Sequence, residues 1–248
     1  MLAARPAAGL KRQGIFALLI DNHDLVTSSL ASLLHAQSIE VGVAVQRPLS
    51  AAGVLAEADA FVANRPTFSH FALLDLNLSA DLDGADLVSP LMQVGYQVVV
   101  LTGVSDRIRL ARCLADGAAA IFNKTRPFRE LMGMIDTIAA GECAVSIAER
   151  DLMLRELQAH LDQVTKLRQS LSHLTAAEGT VLAKLRMGLD AEQIARETYL
   201  SIHTVRSHIH WILVKLGVHS QREAIRLAEA AERGVWQCGA QPPRPHQP

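Results

Sequence analysis

Aromatic side chains make up only 4% of this 248-residue chain, although half of its residues are apolar. A sizeable core is therefore available, and it must be filled mostly by Ala, Val, Leu and Ile. The three cysteines, Cys113, Cys143 and Cys238, lie at no metal-binding spacing and give no even framework. That excludes a zinc ribbon or a disulfide scaffold and leaves reduced thiols. Charge of one sign is also lacking: Lys plus Arg total 24, Asp plus Glu 25, and the formal net charge is -1. This argues against a generally basic nucleic-acid coat or an acidic disordered chain, while leaving room for a local basic face. No apolar run approaches the ~18 residues of a membrane span; the longest tight runs, Phe16–Ile20 and Val98–Leu101, have strand length. Met1–Gly14 carries Arg5, Lys11 and Arg12 but no continuous apolar stretch, so no secretory signal is expected. The expected setting is the cytoplasm, without membrane contact.

At roughly 100–200 residues per domain, the length fits one large domain or two modest ones. From Gly14 to about Gly141, β-like runs alternate with helical stretches. The runs are Ile15–Ile20, Glu40–Val45, Phe71–Leu76, Gln97–Thr102 and Ala119–Asn123. Helices are expected near Asp24–Ala36, Ala51–Asn64, Ala85–Val94, Ser105–Asp116 and Phe128–Ala140. Such alternation predicts an α/β doubly wound, five-stranded parallel sheet covered by helices on both faces. Ligands bind such sheets beyond the carboxyl ends of the strands.

Those ends carry chemistry. Asp21 follows Ile15–Ile20, Asp75 follows Phe71–Leu74, Thr102 follows Val98–Leu101, and Lys124 follows Ala120–Asn123. A carboxylate can attack a phosphoryl group to form an acyl phosphate. A hard cation held by carboxylate oxygens neutralises the charge, while an ammonium and a hydroxyl hold phosphate oxygens. Singly, each residue has a plain reading as a turn former or a solvated side chain. The ordered set at successive strand ends does not.

Leu18-Leu19-Ile20-Asp21-Asn22-His23-Asp24, Leu73-Leu74-Asp75-Leu76-Asn77-Leu78, Leu101-Thr102-Gly103 and Gly117-Ala118 through Lys124 together resemble the receiver domain of a bacterial two-component response regulator. The resemblance implies a flavodoxin/CheY-like fold, phosphorylation of Asp75 by a sensor histidine kinase, and Thr102 and Lys124 responding to the phosphate. It also implies Mg2+ at Asp21, Asn22, Asp75 and Asn77. Three positions depart from the family pattern. Asn22 stands where a second acid is usual, which lowers the expected Mg2+ affinity. Ser79 replaces a common proline, and Gly84 comes one residue late. Ile121 stands where a switch aromatic is common, with Phe122 beside it facing the other way.

Arg150–Ser172 has no Gly or Pro. Leu154, Leu157, Leu161, Val164 and Leu171 follow spacings of three and four, with Arg168 where an apolar residue would continue the seam, about two and a half heptads. The stretch reads either as an amphipathic linker helix packed on its own chain or as a short parallel dimer seam. From Leu174 to Ala231 the signals are all helical, with cap-type pairs at Thr175/Glu178, Asp190/Gln193 and Ser220/Glu223.

In the segment after Leu200, Ile202, Val205, Ile209, Ile212 and Leu216 form an apolar stripe, and no acid occurs from Leu200 to His219. A short helix near Ala191–Thr198 precedes it across a tight turn, the helix-turn-helix arrangement. Over Leu174–Glu232, seven Lys or Arg balance seven acids, so the residues alone fit a helical interaction bundle nearly as well as a DNA binder. Leu174-Thr175, Glu178, Gly188-Leu189, Ile194-Ala195, Ser201, Thr204-Val205, His208 and Lys215-Leu216-Gly217-Val218 resemble the LuxR-type (NarL/FixJ-type) domain. That resemblance implies DNA contacts by Thr204, Arg206, Ser207, His208, His210 and Lys215, with His210 where lysine is frequent.

The expected organisation is an N-terminal extension (1–13), a receiver (14–143), a helical linker (144–172), an all-α helix-turn-helix domain (173–234) and a Pro-rich disordered tail (235–248). Four of that tail's last seven residues are proline. The expected function is a non-enzymatic, DNA-binding transcriptional regulator, a homodimer on a two-fold promoter site. The alternative is an atypical, weakly metal-binding receiver that acts through protein contacts with little phosphorylation.

Overall fold

A computed structural model describes residues 14–44, 50–79, 81–103 and 106–233. The expected N-terminal extension and Pro-rich tail lie outside these residues. The strands are β1 (Ile15–Ile20), β2 (Glu40–Val43), β3 (Ser69–Asp75), β4 (Gln97–Thr102) and β5 (Ala120–Asn123). The helices are α1 (Asp24–His35), α2 (Ala51–Asn64), α3 (Val88–Val94), α4 (Arg107–Ala115), α5 (Phe128–Ala139), α6 (Ile147–Ser172), α7 (Ala176–Arg186), α8 (Ala191–Thr198), α9 (Ile202–Leu216) and α10 (Gln221–Arg233). Residue contacts divide the chain into two units, the break falling between Leu157 and Gln158 inside α6.

In the first unit all strand pairs are parallel and the order is β2-β1-β3-β4-β5. Every residue of β1 is buried, as is every residue of β3 after Ser69. That is why both runs read as continuously apolar: helices cover both faces of the sheet. The register sets the strand ends side by side. Ile20 pairs with Leu74, Asp75 with Leu101, and Thr102 with Asn123. Asp21, Asp75, Thr102 and Lys124 therefore emerge at one edge.

Most expected elements agree with the structure to within two residues. The exception is the helix expected over Ala85–Val94. Gly84–Leu87 forms a 3-10 turn, and α3 begins only at Val88. Asp83 starts that turn by accepting from the Ala85 N–H at 2.9 Å. Gly84 is required there because a Cβ would sit 2.1 Å from the Asp75 carbonyl oxygen and 2.8 Å from Leu76 Cα. Backbone, unlike a flexible side chain, cannot yield to such a contact.

Helix α6 begins at Ile147, earlier than its charge pattern suggested. Its N-terminal part belongs to the first unit. There Arg150 Nη2 donates to the Leu114 carbonyl at 2.8 Å, and Arg107 Nε donates to Glu156 at 2.8 Å. Met153, Leu157 and Val164 are buried by the chain itself, with Met153 deeper than the expected Leu154.

In the second unit α7 to α10 enclose Val181, Leu182, Ile194, Val205, Ile209 and Ile212. The capping boxes at Thr175/Glu178 and Asp190/Gln193 are closed in both directions. At the third expected box, Glu223 accepts from the His219 N–H at 2.9 Å, one residue before Ser220. Tyr199 ends α8 in the left-handed conformation, and Ser201 caps α9 through the Thr204 N–H at 3.0 Å.

Candidate phosphoacceptor site and nucleic-acid interface

At the carboxyl edge of the sheet, Asp21, Asp75 and Thr102 are each at least 95% buried. Lys124 Nζ donates to Asp21 Oδ2 at 2.7 Å and lies 3.0 Å from Asp75 Oδ2. One ammonium thus bridges two desolvated carboxylates. Burial pushes the Asp21 carboxyl up. The Lys124 hydrogen bond and charge, with the His23 N–H at 2.8 Å, outweigh that and hold it below the ordinary aspartate range.

His23 was not singled out from the sequence. Its Nδ1 lies 3.0 Å from Asp21 Oδ1 and 4.0 Å from Asp75 Oδ2. An ionised carboxylate only accepts, so the Nδ1–H tautomer donates. Asp21, His23 and Asp75 bring ligand atoms within 4.8 Å of one another, a set able to hold a cation. The two carboxylates suit a hard cation such as Mg2+. Asn22 is exposed. The Asn77 N–H donates to Asp75 Oδ1 at 3.3 Å, while its side-chain oxygen accepts from Arg109 Nη1 at 2.8 Å. Ile121 is half-buried, and Phe122 belongs to the sheet core rather than to the surface.

On the helix-turn-helix, Arg206 and His210 are exposed, and Thr204, Ser207 and His208 are half-buried. Val205, Ile209 and Ile212 hold the opposite side of α9 in the core. Trp211 and Val214 are also exposed, extending the outward face beyond the residues expected there. Lys215 has a partner within the domain. Its Nζ lies 2.9 Å and 2.6 Å from the two oxygens of Glu178, whose carboxylate also accepts from the Thr175 N–H at 2.7 Å. Those bonds hold the Glu178 carboxyl below its ordinary range. In this arrangement Lys215 joins α9 to the start of α7. The sequence signal was Glu178 as the cap partner of Thr175; the structure adds that it is buried.

Residues 172–228 match the family described as bacterial regulatory proteins, luxR family. A nitrate/nitrite response regulator protein homolog of Haemophilus influenzae is 31% identical over 209 residues, covering 82% of this chain and 91% of the relative. The chain belongs to the luxR-type response regulators. The DNA-binding transcriptional activator DevR/DosR of Mycobacterium tuberculosis is likewise 31% identical to this regulator, over 219 residues that cover 87% of this chain and 94% of the relative. Among solved structures, the response regulator StyR is 25% identical, covers 87% of this chain and 98% of its own, and has a TM-score of 0.39. The protein-contact alternative finds no support among these relatives. No helix among the described residues is long and apolar enough to cross a membrane.

The Lys124 bridge makes a stability prediction for this regulator. Lys124→Met leaves two buried carboxylates unneutralised. Removing one partner of a buried pair costs about 3–5 kcal/mol, and the partial exposure of Lys124 lowers the expected loss to about 2 kcal/mol. Because the folded pKa of Asp21 is depressed, its contribution is present above the unfolded value. It is lost as pH falls through the folded one. Urea unfolding should therefore show the variant's deficit at pH 7 and its disappearance as Asp21 protonates. A deficit that stays constant with pH would contradict the assignment.

Proposed function

We propose that this chain is a DNA-binding transcriptional response regulator switched by phosphorylation of Asp75 by a partner histidine kinase. The carrying observation is the placement of Asp75. It is buried at the end of the central strand, bridged by Lys124 to Asp21 and one register position from Thr102.

A carboxylate oxygen of Asp75 attacks the phosphorus of the kinase's phosphohistidine. The P–O bond forms as the P–N bond breaks, and the imidazole leaves with the electron pair. Lys124 exchanges its carboxylate partner for a phosphoryl oxygen, and the Thr102 hydroxyl donates to another. Hydrolysis of the acyl phosphate resets the site. Asp21 and Asp75 would hold Mg2+, whose charge would offset that of the phosphoryl oxygens. The neutral amide of Asn22 adds no charge to that set, so affinity is low. In the second unit, α9 enters the major groove with Arg206, Ser207 and His210 outward. Two copies of the chain read a two-fold site in the cytoplasm.

Incubation with acetyl phosphate and Mg2+ should add the mass of one phosphate to the full-length chain. Asp75→Asn should abolish the increment, whereas full labelling of that variant would remove Asp75 from the role. A DNA site selected from a random pool tests the second half. An Arg pairing bidentately with guanine supplies about 1–3 kcal/mol of discrimination. Arg206→Ala should therefore weaken the selected site about 10-fold or more relative to random DNA. Equal losses on both, with a shallower salt slope, would make Arg206 a phosphate contact instead.

A further inference from the structure

Arg109, in the first turn of α4, is 91% buried and belongs to none of the motifs that carry the family resemblance. Its Nη2 donates to the Leu76 carbonyl at 2.7 Å and to Asp83 Oδ1 at 2.6 Å, and its Nη1 donates to Asn77 Oδ1 at 2.8 Å. All three acceptors lie in the loop that follows Asp75. The Leu76 carbonyl also accepts from the Gly84 N–H at 2.9 Å. Asp83 starts the 3-10 turn, and the Asn77 N–H reaches Asp75 itself. One guanidinium thus fastens both ends of the loop and the residue in contact with the acceptor.

This arrangement is expensive. A buried arginine keeps its charge, and Arg109 Nε is buried with no partner among the described residues, which adds a desolvation penalty. A well-packed apolar side chain would serve stability alone as well or better. What an apolar side chain, or a lysine, cannot do is span three acceptors with one rigid fork.

We propose that Arg109 is a positioning residue for phosphoryl transfer. It fixes the loop from Leu76 to Asp83, and through the Asn77 N–H the Asp75 carboxylate, in the orientation that accepts the phosphoryl group. It also ties that loop to α4, the helix after the strand that ends in Thr102. The inference rests on Asp75 as the acceptor.

The test compares the rate of labelling by acetyl phosphate, at saturating Mg2+, in the full-length chain and in Arg109→Lys, Arg109→Met and Asn77→Ala. Small misplacements of reacting groups cost up to ~10²-fold in rate. Arg109→Lys keeps a cation beside Asp83 but not the fork, and should label about 10-fold more slowly with little change in melting temperature. Asn77→Ala removes one acceptor at an exposed position, so it keeps the fold even if Arg109→Met does not. It should label about 3-fold more slowly. The Asn77 amide proton shift, which reports its bond to Asp75, should move in Arg109→Lys. Wild-type rates in both Arg109→Lys and Asn77→Ala, with that shift unmoved, would overturn the inference while leaving Asp75 as acceptor. No uptake by the wild type, or labelling of Asp75→Asn, would instead overturn the reading on which the inference rests.

Discussion

Two carboxylates buried side by side repel one another, and each is stripped of the water that would stabilise its charge. In this protein Asp21 and Asp75 are in that position, and Lys124 makes it tolerable. The rest of the first unit serves the contact. Strands buried on both faces fix the register, the register aligns the strand ends, and Gly84 lets the following loop pass against the backbone of Asp75. Lys124 touches both carboxylates at once, while His23 approaches Asp21 from the loop after β1.

The second unit uses a similar device for a different end. Glu178 is buried at the start of α7, where it caps Thr175 and pairs with Lys215 near the end of α9. Helix α9 is thereby anchored by charge at its far end and by Val205, Ile209 and Ile212 along its length. Arg206 and His210 are exposed near its middle. They stand apart from the anchoring contacts, so substituting them leaves the packing of the domain in place.

How much was legible in the sequence depended on distance along the chain. Strand ends and helix caps are local patterns, so Asp21, Asp75, Thr102, Lys124 and the boxes at Thr175 and Asp190 could be read directly. Contacts between distant segments could not. The Arg109 fork spans more than thirty residues to Leu76 and Asn77, and in the sequence Arg109 is one cation in a charged helix. The Lys215–Glu178 pair was hidden for the same reason: its partners are 37 residues apart, and nothing on the acid-free helix points to Glu178. His23 was hidden by its ordinariness, because nothing local shows that its ring turns back onto Asp21. Ala85–Leu87, in the 3-10 turn, was read as the start of α3 because nothing in those residues breaks a helix locally.

The central claim is that Lys124 holds the Asp21 carboxyl ionised against burial. Carbon-detected NMR titration of the aspartate side-chain carboxyls in the full-length protein addresses it directly. Asp21 should titrate below the ordinary aspartate value of about 3.9. In Lys124→Met, where burial is less opposed, Asp21 should move upward. An Asp21 carboxyl that titrates at the ordinary value in both proteins would contradict it.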